Sequence, residues 1–472
     1  MVVQHNLRAM NSNRMLGITQ GTLSKSAEKL SSGYKVNRAA DDAAGLSISE
    51  KMRKQIRGLS QASLNAEDGI SAVQTAEGAL TEVHDMLQRM NELAVKASNG
   101  TNALSDRQTI QDEVDQLLTE IDRVAETTKF NETYLLKGDT DTVTKKASAK
   151  DAGLVGTLRE GATAATFTIN KLKLGDTVSI GGQEYTIGSD TDSVVASFTA
   201  LKADFKGGEL VTLDGVQYTV ADGTTTVENE DKNILTAQKI EDKIKDGSSF
   251  TYNGVTYTAM VDETGADGTK NGHDATNATI ITVDQAELMI GQELRLANNI
   301  GTDSDAPATV TNNGDRTENN KTYVDYIIEK GDISVKEDLN FSLHVGADAD
   351  MNNKIGVKIQ ALDTAGLGIR GLNVKDSSGA AATYAIDAIA DAVSTVSAQR
   401  SLLGAVQNRL EHTINNLDNV VENTTAAESQ IRDTDMATEM VKYSNANILS
   451  QAGQSMLAQG NQSNQGVLSL LG

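Results

Sequence analysis

The sequence predicts a mainly α fold: paired N- and C-terminal long helices forming a coiled-coil-like spine, with an inserted α+β region built from β-hairpin/helix units. Three observations predict it. Near the N-terminus an apolar residue recurs every seven positions, at Leu59, Ala66, Val73, Leu80, Leu87 and Ala94. Near the C-terminus Ile389, Val396, Leu403, Leu410, Leu417 and Ile431 do the same, with Thr424 the one polar rung. Between the ladders, three related segments each hold a glycine-centred turn between alternating apolar residues. A sustained seven-residue repeat marks helices packed along a shared seam. Neither ladder can cover its own seam, so the chain is expected to fold back with its ends side by side.

Residues 1–32 read as an amphipathic but weak helix. Leu16, Leu23 and Leu30 are spaced by seven, with Leu7 and Met10 ahead of them, but Asn, Ser, Thr and Gly are mixed throughout. Ser31-Ser32-Gly33 is the expected stop, glycine supplying the left-handed residue past the helix end. An Ala- and Asp-rich connector, 37–45, leads into a long helix from about Leu46 to Ser98, roughly 80 Å at 1.5 Å per residue. Asn99-Gly100 breaks it. Ser105-Asp106-Arg107-Gln108 then fits a capping box with Gln108 at the third helical position. Ile110, Val114, Leu117, Ile121 and Val124 alternate four and three apart behind it, which predicts an antiparallel partner of the preceding helix.

From about Gly138 Gly, Thr, Asp and Lys dominate and the period shifts toward two. The three related segments run Val178–Tyr185, Val211–Tyr218 and Phe250–Tyr257, with Gly-Gly, Asp-Gly and Asn-Gly at their centres. Those dipeptides are strong signals for tight hairpins. Helices are expected after the first two, at about Ser193–Phe205 and Glu228–Lys245. Strand-like alternation resumes at Phe341–Val345 and Ile355–Ile359, and helix returns near Ala382, carrying the second ladder to about Ile431. The last segment, from about Asp433, is again a weak helix, with Met436, Met440 and Tyr443 in one stripe and Leu449, Ala452 and Met456 after them. It ends in Val467, Leu468, Ser469, Leu470 and Leu471. Both terminal segments are too polar to persist as isolated helices in water, so they are expected to be mobile in the monomer and to order against neighbouring chains.

Composition narrows the function. The formal charge of -23 over 472 residues argues against nucleic acid, whose phosphates need clustered Lys and Arg. Aromatics are only 3% and Trp is absent, which suits thin helix seams better than one thick core. There are no cysteines, so disulfides and zinc thiolate sites are impossible. No stretch is long or apolar enough to span a membrane, and the start lacks the basic, then apolar, pattern of a signal peptide. No membrane partner and no cofactor is expected.

The chemistry-bearing motifs are weak. Gly366-Leu-Gly368-Ile-Arg-Gly371 is a formal dinucleotide fingerprint, but no helix start follows it to hold a pyrophosphate. A turn is the expected reading. His5, His84, His273, His344 and His412 are scattered and form no His-Glu-x-x-His pair. His84 and His412 are expected to face solvent or the seam. Asp303-Ser-Asp305 and Asp348-Ala-Asp350 alternate acids without the Gly and terminal Glu of a calcium loop. No catalytic or metal-binding residue is assigned.

The stretch Leu30-Ser-Ser-Gly-Tyr-Lys-Val-Asn-Arg-Ala-Ala-Asp-Asp-Ala-Ala-Gly-Leu-Ser-Ile-Ser-Glu-Lys-Met52 closely resembles bacterial flagellin. So do the start Val3-Gln-His-Asn6, the stretch Gln88–Val95 and the ending Val467-Leu-Ser-Leu-Leu-Gly472. The likeness covers about 1–140 and 340–472, while the middle corresponds to the variable region of that family. Such a resemblance implies a structural subunit that polymerises into a filament for motility. It further implies export through the flagellar type III apparatus, unfolded, to an extracellular filament. Implied partners are further copies of the chain, an export chaperone, a filament cap protein, hook-filament junction proteins and an animal Toll-like flagellin receptor. The implied divisions are 1–45 and 433–472 for an inner-tube domain, 46–140 and 339–432 for a helical spine, and 141–338 for a variable outer region. Receptor recognition is carried to Gln88, Arg89, Glu92, Leu93 and Glu113. Assembly is assigned to Leu7, Met10, Leu16, Leu23, Leu30, Met436, Met440, Tyr443, Leu449, Met456, Val467, Leu468, Leu470 and Leu471.

Ser463 and Asn464 depart from the family, many of whose members have an apolar residue and a proline there. Two other readings stand beside the filament subunit. Some members of the family carry a metalloprotease in the middle region, which the missing His-Glu-x-x-His argues against. Hook-filament junction proteins share the terminal design, but the complete N-terminal signature favours the filament subunit. A glycan- or host-binding role for the hairpins, or glycosylation of exposed Thr and Ser, is also open.

Overall fold

The computed structural model describes residues 7–222, 226–264, 270–318, 321–376 and 379–469, with side chains at all of these except 262–264 and 463–469. The helices are α1 (Leu7–Ser32), α2 (Ala43–Ser98), α3 (Leu104–Thr127), α4 (Thr191–Lys202), α5 (Ala237–Glu241), α6 (Val283–Asn298), α7 (Ala380–Arg432) and α8 (Met436–Ser469). The strands up to the first hairpin repeat are β1 (Lys129–Phe130), β2 (Thr133–Tyr134), β3 (Thr142–Lys146), β4 (Thr157–Glu160), β5 (Ala164–Asn170), β6 (Thr177–Ile180) and β7 (Gln183–Ile187). Then come β8 (Leu210–Leu213), β9 (Val216–Ala221), β10 (Ile234–Thr236), β11 (Ser249–Tyr252), β12 (Val255–Thr258), β13 (Asp262–Thr264), β14 (Lys270–Asp274) and β15 (Ile280–Ile281). The last are β16 (Thr309–Glu318), β17 (Lys321–Glu329), β18 (Asp332–Lys336), β19 (Leu339–His344) and β20 (Lys354–Ile359). The chain forms two compact units, one of residues 1–73, 341–357 and 404–472 and one of 74–340 and 358–403.

In the first unit the two ends pair antiparallel. Ser26 Oγ donates to Glu439 Oε1 at 2.6 Å, and a Cβ on Gly453 or Gly460 would come against Leu16 or Ala9. As the α1 number falls the α8 number rises. Gly33 ends α1 with φ of 78° and its N–H on Lys29 O, as the stop signal predicts. Asp42 Oδ1 accepts from Gly45 N at 2.9 Å, so α2 begins at Ala43 and the Ala-Asp connector is shorter than the sequence suggests. The ladder rungs Ala66, Val73, Leu410 and Leu417 are buried, and the pairing of Ser63 with Asp418 and of Glu50 with Arg432 fixes an antiparallel register. Strands β19 and β20 form a hairpin whose Val345 and Ile355 share a core with Ala66 and Leu410. Two glycines of α2 admit it: a Cβ on Gly69 would lie 2.1 Å from Leu343 Cδ1, and one on Gly58 2.9 Å from Ala347 Cβ. Glycine costs a helix interior about 1 kcal/mol; close backbone approach explains it here.

In the second unit Leu80, Leu87, Ala94, Ile389, Val396 and Leu403 are all buried, and Arg400 Nη2 meets Glu77 Oε1 at 2.8 Å. Helix α3 lies antiparallel to α2, since Arg89 reaches Glu113 and Arg107 reaches Ala97. Ile110, Val114 and Ile121 are buried, while Leu117 and Val124 are half-buried and Ala125 takes the inner position. The capping residue differs from expectation. Helix α3 starts at Leu104, with Ala103 as cap and Asp106, not Gln108, returning a carboxylate to the Ala103 N–H at 3.3 Å. Gln108 instead donates to Asp112 within the helix. The side chain with the shorter reach sits at the third position.

The inserted part of this unit holds two further cores. One sets α6, with Ala286, Ile290 and Leu294, on the sheet β16-β17-β5-β4 through Phe167, Val324, Tyr326 and Ile328. The other sets Val194 and Phe198 of α4 and Ile240 of α5 on the sheet β10-β9-β8-β11-β12, with Phe250 at its centre. All three expected hairpins are present, β6–β7, β8–β9 and β11–β12. Their central pairs have positive φ at both residues: 59° and 78° at Gly181-Gly182, 49° and 79° at Asp214-Gly215, 49° and 82° at Asn253-Gly254. That is the backbone a two-residue hairpin loop needs. The helix expected at 193–205 is α4, ending earlier at Lys202. The helix expected over 228–245 is largely absent. Glu230–Lys232 make a single 3-10 turn, Asn233 turns left-handed at φ 54°, Ile234–Thr236 pair parallel with β9, and the α-helix is limited to the five residues of α5. Two large residues, Ile234 and Leu235, gain more by completing a sheet than by extending a short helix.

Candidate assembly and recognition surfaces

The seam between α1 and α8 is narrow and lined by small or polar side chains. Its buried members are Ala9, Leu16 and Ser26 on α1 and Glu439, Ala446 and Ser450 on α8. The Ser26 hydroxyl, and less strongly Lys442 at 3.1 Å, hold the Glu439 carboxyl below the usual glutamate range. At the start of α8, Asp435 caps the helix by accepting from Thr438, which lowers its carboxyl too.

Most large apolar residues of these helices face outward instead. Of the predicted assembly residues, Leu16 is buried, Leu23, Leu30 and Tyr443 are half-buried, and Leu7, Met10, Met436, Met440, Leu449 and Met456 are exposed. The C-terminal stripe therefore does not form the seam with α1. Small residues at 446, 450 and 453 do that, letting the helices approach closely. Val467 and Leu468 fall within α8, but their side chains, like Leu470 and Leu471 altogether, lie outside the described residues. The sequence reading missed Met15, Ile18, Val441 and Ile448, which are also exposed. Their signal was available: each is a large apolar residue within one or two positions of a stripe residue already noted.

The second surface is on α2 and α3. Gln88, Arg89 and Glu92 are exposed. The Arg89 guanidinium bonds Glu113 Oε1 at 2.8 Å and Glu92 Oε2 at 3.0 Å, and Glu113 foremost holds its pKa above the usual arginine value. Leu93 is different. It is 3% exposed and belongs to the interior of its own unit, so it offers no surface to a partner. Its place one residue after Glu92 turns it to the buried face of the helix. His84, half-buried on α2, holds Gln88 through its ring Nε2 at 2.9 Å; His412 is exposed.

The remaining motifs are structural. At Gly366–Gly371 no helix starts; Gly366 N donates to Asp363 Oδ1 and Gly368 N to Ala365 O, so neither amide is free for a phosphate. Thr364 ties this turn to Asp122 of α3 through its N–H at 2.8 Å and its hydroxyl at 3.0 Å. Asp303 accepts from Ser334 N and Arg370 Nη1, which lowers its carboxyl, and Asp350 caps a turn at Asn352. Among the described residues, no group of three or more His, Cys, Asp or Glu could hold a metal ion, and no helix is long and apolar enough to cross a membrane.

Paired heptad helices with an uncovered apolar face are the features of a structural, self-assembling protein. Models of the bacterial flagellin N-terminal and C-terminal helical regions match residues 3–141 and 386–471. A flagellin of Clostridium tyrobutyricum is 38% identical over 469 residues, 98% of this chain and 100% of its own length. A flagellin of Halalkalibacterium halodurans is 33% identical over 471 residues, 100% of both chains. The solved structure of FliC from Burkholderia pseudomallei is 20% identical and covers 72% of this chain and 99% of its own, with a TM-score of 0.27, too low to carry an argument about arrangement. The chain belongs to the bacterial flagellin family. It is a structural subunit of the extracellular flagellar filament, with long terminal helices around a strand-rich insertion, and not an enzyme.

Proposed function

We propose that the subunit is exported unfolded through the flagellar type III apparatus and that its terminal helices order only on assembly. In this reading residues 1–45 and 433–472 form the inner tube, 46–140 and 339–432 the surrounding spine, and 141–338 the outward region. The observation that carries it is the outward apolar face of α1 and α8, with Met10, Met15, Ile18, Met440, Ile448 and Leu449 all exposed. An isolated helix pair that buries so few large side chains is marginal in water, and contiguous exposed apolar surface marks an interaction site. Neighbouring copies supply the missing contacts. The export chaperone is expected to cover the C-terminal segment before export, the cap protein to guide subunits at the tip, and the junction proteins to join filament to hook.

A second part of the proposal is recognition of the monomer by an animal Toll-like flagellin receptor through Gln88, Arg89, Glu92 and Glu113, with Leu93 supporting the helix from within. The exposed, mutually bonded charges on α2 and α3 favour it. Electron microscopy of the full chain before and after seeding tests the assembly reading. Variants lacking residues 1–30 or 440–472 are expected to give no tubes, and the full-length monomer to show sharp, unprotected amide signals at both ends. Normal filaments from either deletion, or full amide protection of both ends in a verified monomer, would refute it.

A further inference from the structure

The chain has no cysteine but 12 methionines, and their placement is uneven. Met10 and Met15 of α1 are 61% and 54% exposed, and Met436, Met440 and Met456 of α8 are 48%, 53% and 59% exposed. Met90 and Met260 are buried, and Met52, Met86 and Met289 are half-buried. Apart from the terminal helices, Met351 is the other exposed methionine among the described residues. We propose that the methionine face of α1 and α8 is an oxidative modification site that switches assembly off in the free subunit. The inference rests on the assembly role of these helices proposed above.

The chemistry needs only a peroxide or hypohalous acid from the surroundings. With peroxide, the thioether sulfur attacks one oxygen, the O–O bond breaks, and the products are a methionine sulfoxide and water. Each event turns a flexible apolar side chain into a polar, chiral one. On an exposed helix face that change costs the free subunit little. At a packed interface it leaves a strong acceptor among apolar neighbours without a donor, which is unfavourable. Oxidation therefore bears on the assembled state and not on the fold. With no thiol present to react first, these five sulfurs are the most accessible oxidisable groups on the terminal helices. Inside a filament the same sulfurs are covered, so assembly protects them, and a reductase acting on methionine sulfoxide restores the subunit.

The test uses the full-length chain. Monomer and preformed filaments are treated with hydrogen peroxide, sulfoxide is quantified at each methionine by peptide mass spectrometry, and seeded polymerisation is followed by light scattering and electron microscopy. In the monomer Met10, Met15, Met436, Met440 and Met456 should oxidise ahead of Met90 and Met260, and in filaments they should be protected. The monomer concentration left unpolymerised should rise about tenfold, equivalent to about 1.4 kcal/mol per subunit. In a variant with these five changed to Leu, peroxide should cause no change from that variant's own untreated level of polymerisation, Met351→Leu should give no protection, and sulfoxide reductase should restore the treated wild type. Unchanged polymerisation of oxidised monomer, equal oxidation in filaments, or persistent peroxide sensitivity of the five-Leu variant overturns the proposal. Failure of the untreated wild type to polymerise from seeds refutes instead the assembly role itself, and the switch with it.

Discussion

Arg107 is 2% exposed and has no carboxylate on it among its hydrogen bonds. Its Nε donates to Ala97 O at 2.9 Å, Nη1 to Asp376 O at 2.9 Å and Nη2 to Asn99 O at 3.3 Å. Two of these carbonyls end α2, where the last turn has no helical donors and a cation is favoured by the helix dipole. The third belongs to the segment leading into α7. One side chain thus joins the end of α2, the start of α3 and the approach to α7. Changing Arg107 to Met keeps most of the volume and removes all three bonds. A hydrogen bond from a charged donor contributes about 1.5–3 kcal/mol, and water can partly replace the two that are only part-buried, so the expected loss is about 3–5 kcal/mol. Arg107→Lys should recover about 1 kcal/mol of that through a single carbonyl. Urea unfolding followed by helical circular dichroism gives the stability, and hydrogen exchange over residues 96–102 locates the loss. A Met variant within about 0.5 kcal/mol of wild type, with unchanged exchange at that turn, would show that the three bonds contribute nothing beyond packing.

Three further outcomes are expected. Gly254 has φ of 82° and open space around a Cβ, so Gly254→Val should lose about 1–2 kcal/mol from backbone strain alone, while Gly356→Ala, with the same open space and no positive φ, should be near neutral in thermal unfolding. Burial of the Asp274 carboxyl opposes ionisation, but bonds from Thr276, Val261 N and Asn277 N outweigh it and hold the carboxyl below the usual aspartate range. A lowered folded value means that Asp274 adds stability above about pH 4 and loses it as the pH falls through the folded value; an acid titration of Asp274→Asn should lack that component, and an unchanged profile refutes the assignment. Arg89→Ala should weaken receptor binding in a pull-down without altering the thermal midpoint, because its ion pairs are exposed. Leu93→Ala is the contrasting case: its cavity should cost about 2–5 kcal/mol, so a binding loss there reports folding and not contact.

The spine was legible in the sequence because heptad spacing states directly which side of a helix is covered. Leu80, Leu87, Val396 and Leu403 are buried where the ladder placed them. The hairpins were legible for a similar reason: Asp214-Gly215 and Asn253-Gly254 need positive φ, and few dipeptides supply it cheaply. The region between Glu228 and Lys245 was misread because Gln238, Lys239 and Glu241, which do form α5, are flanked by further good helix formers such as Glu228, Leu235, Lys243 and Lys245. A parallel pairing with β9, many residues earlier, decided the outcome. Long-range partners also hid β3, β5 and β17. Their edges carry Thr, Lys and Asp, and Val324, Tyr326 and Ile328 gain a covered face only once β17 is paired between β5 and β16 and α6 lies on that sheet.

The terminal helices show why a stripe of large apolar residues does not by itself name its partner. A heptad reading assigns Met436, Met440 and Leu449 to a seam, since that is what such residues do in most paired helices. The seam that α8 makes within the chain uses Glu439, Ala446, Ser450 and Gly453 instead. Small residues let the backbones approach without burying much apolar area, so the pair is specified in register by one bond, Ser26 to Glu439, more than it is stabilised. The larger side chains are left uncovered on the outside. Among the described residues nothing in the single chain covers them, whereas a helical array of identical chains offers every subunit the same neighbours. Polarity that reads as weakness in one helix then goes with an apolar surface left for the next copy.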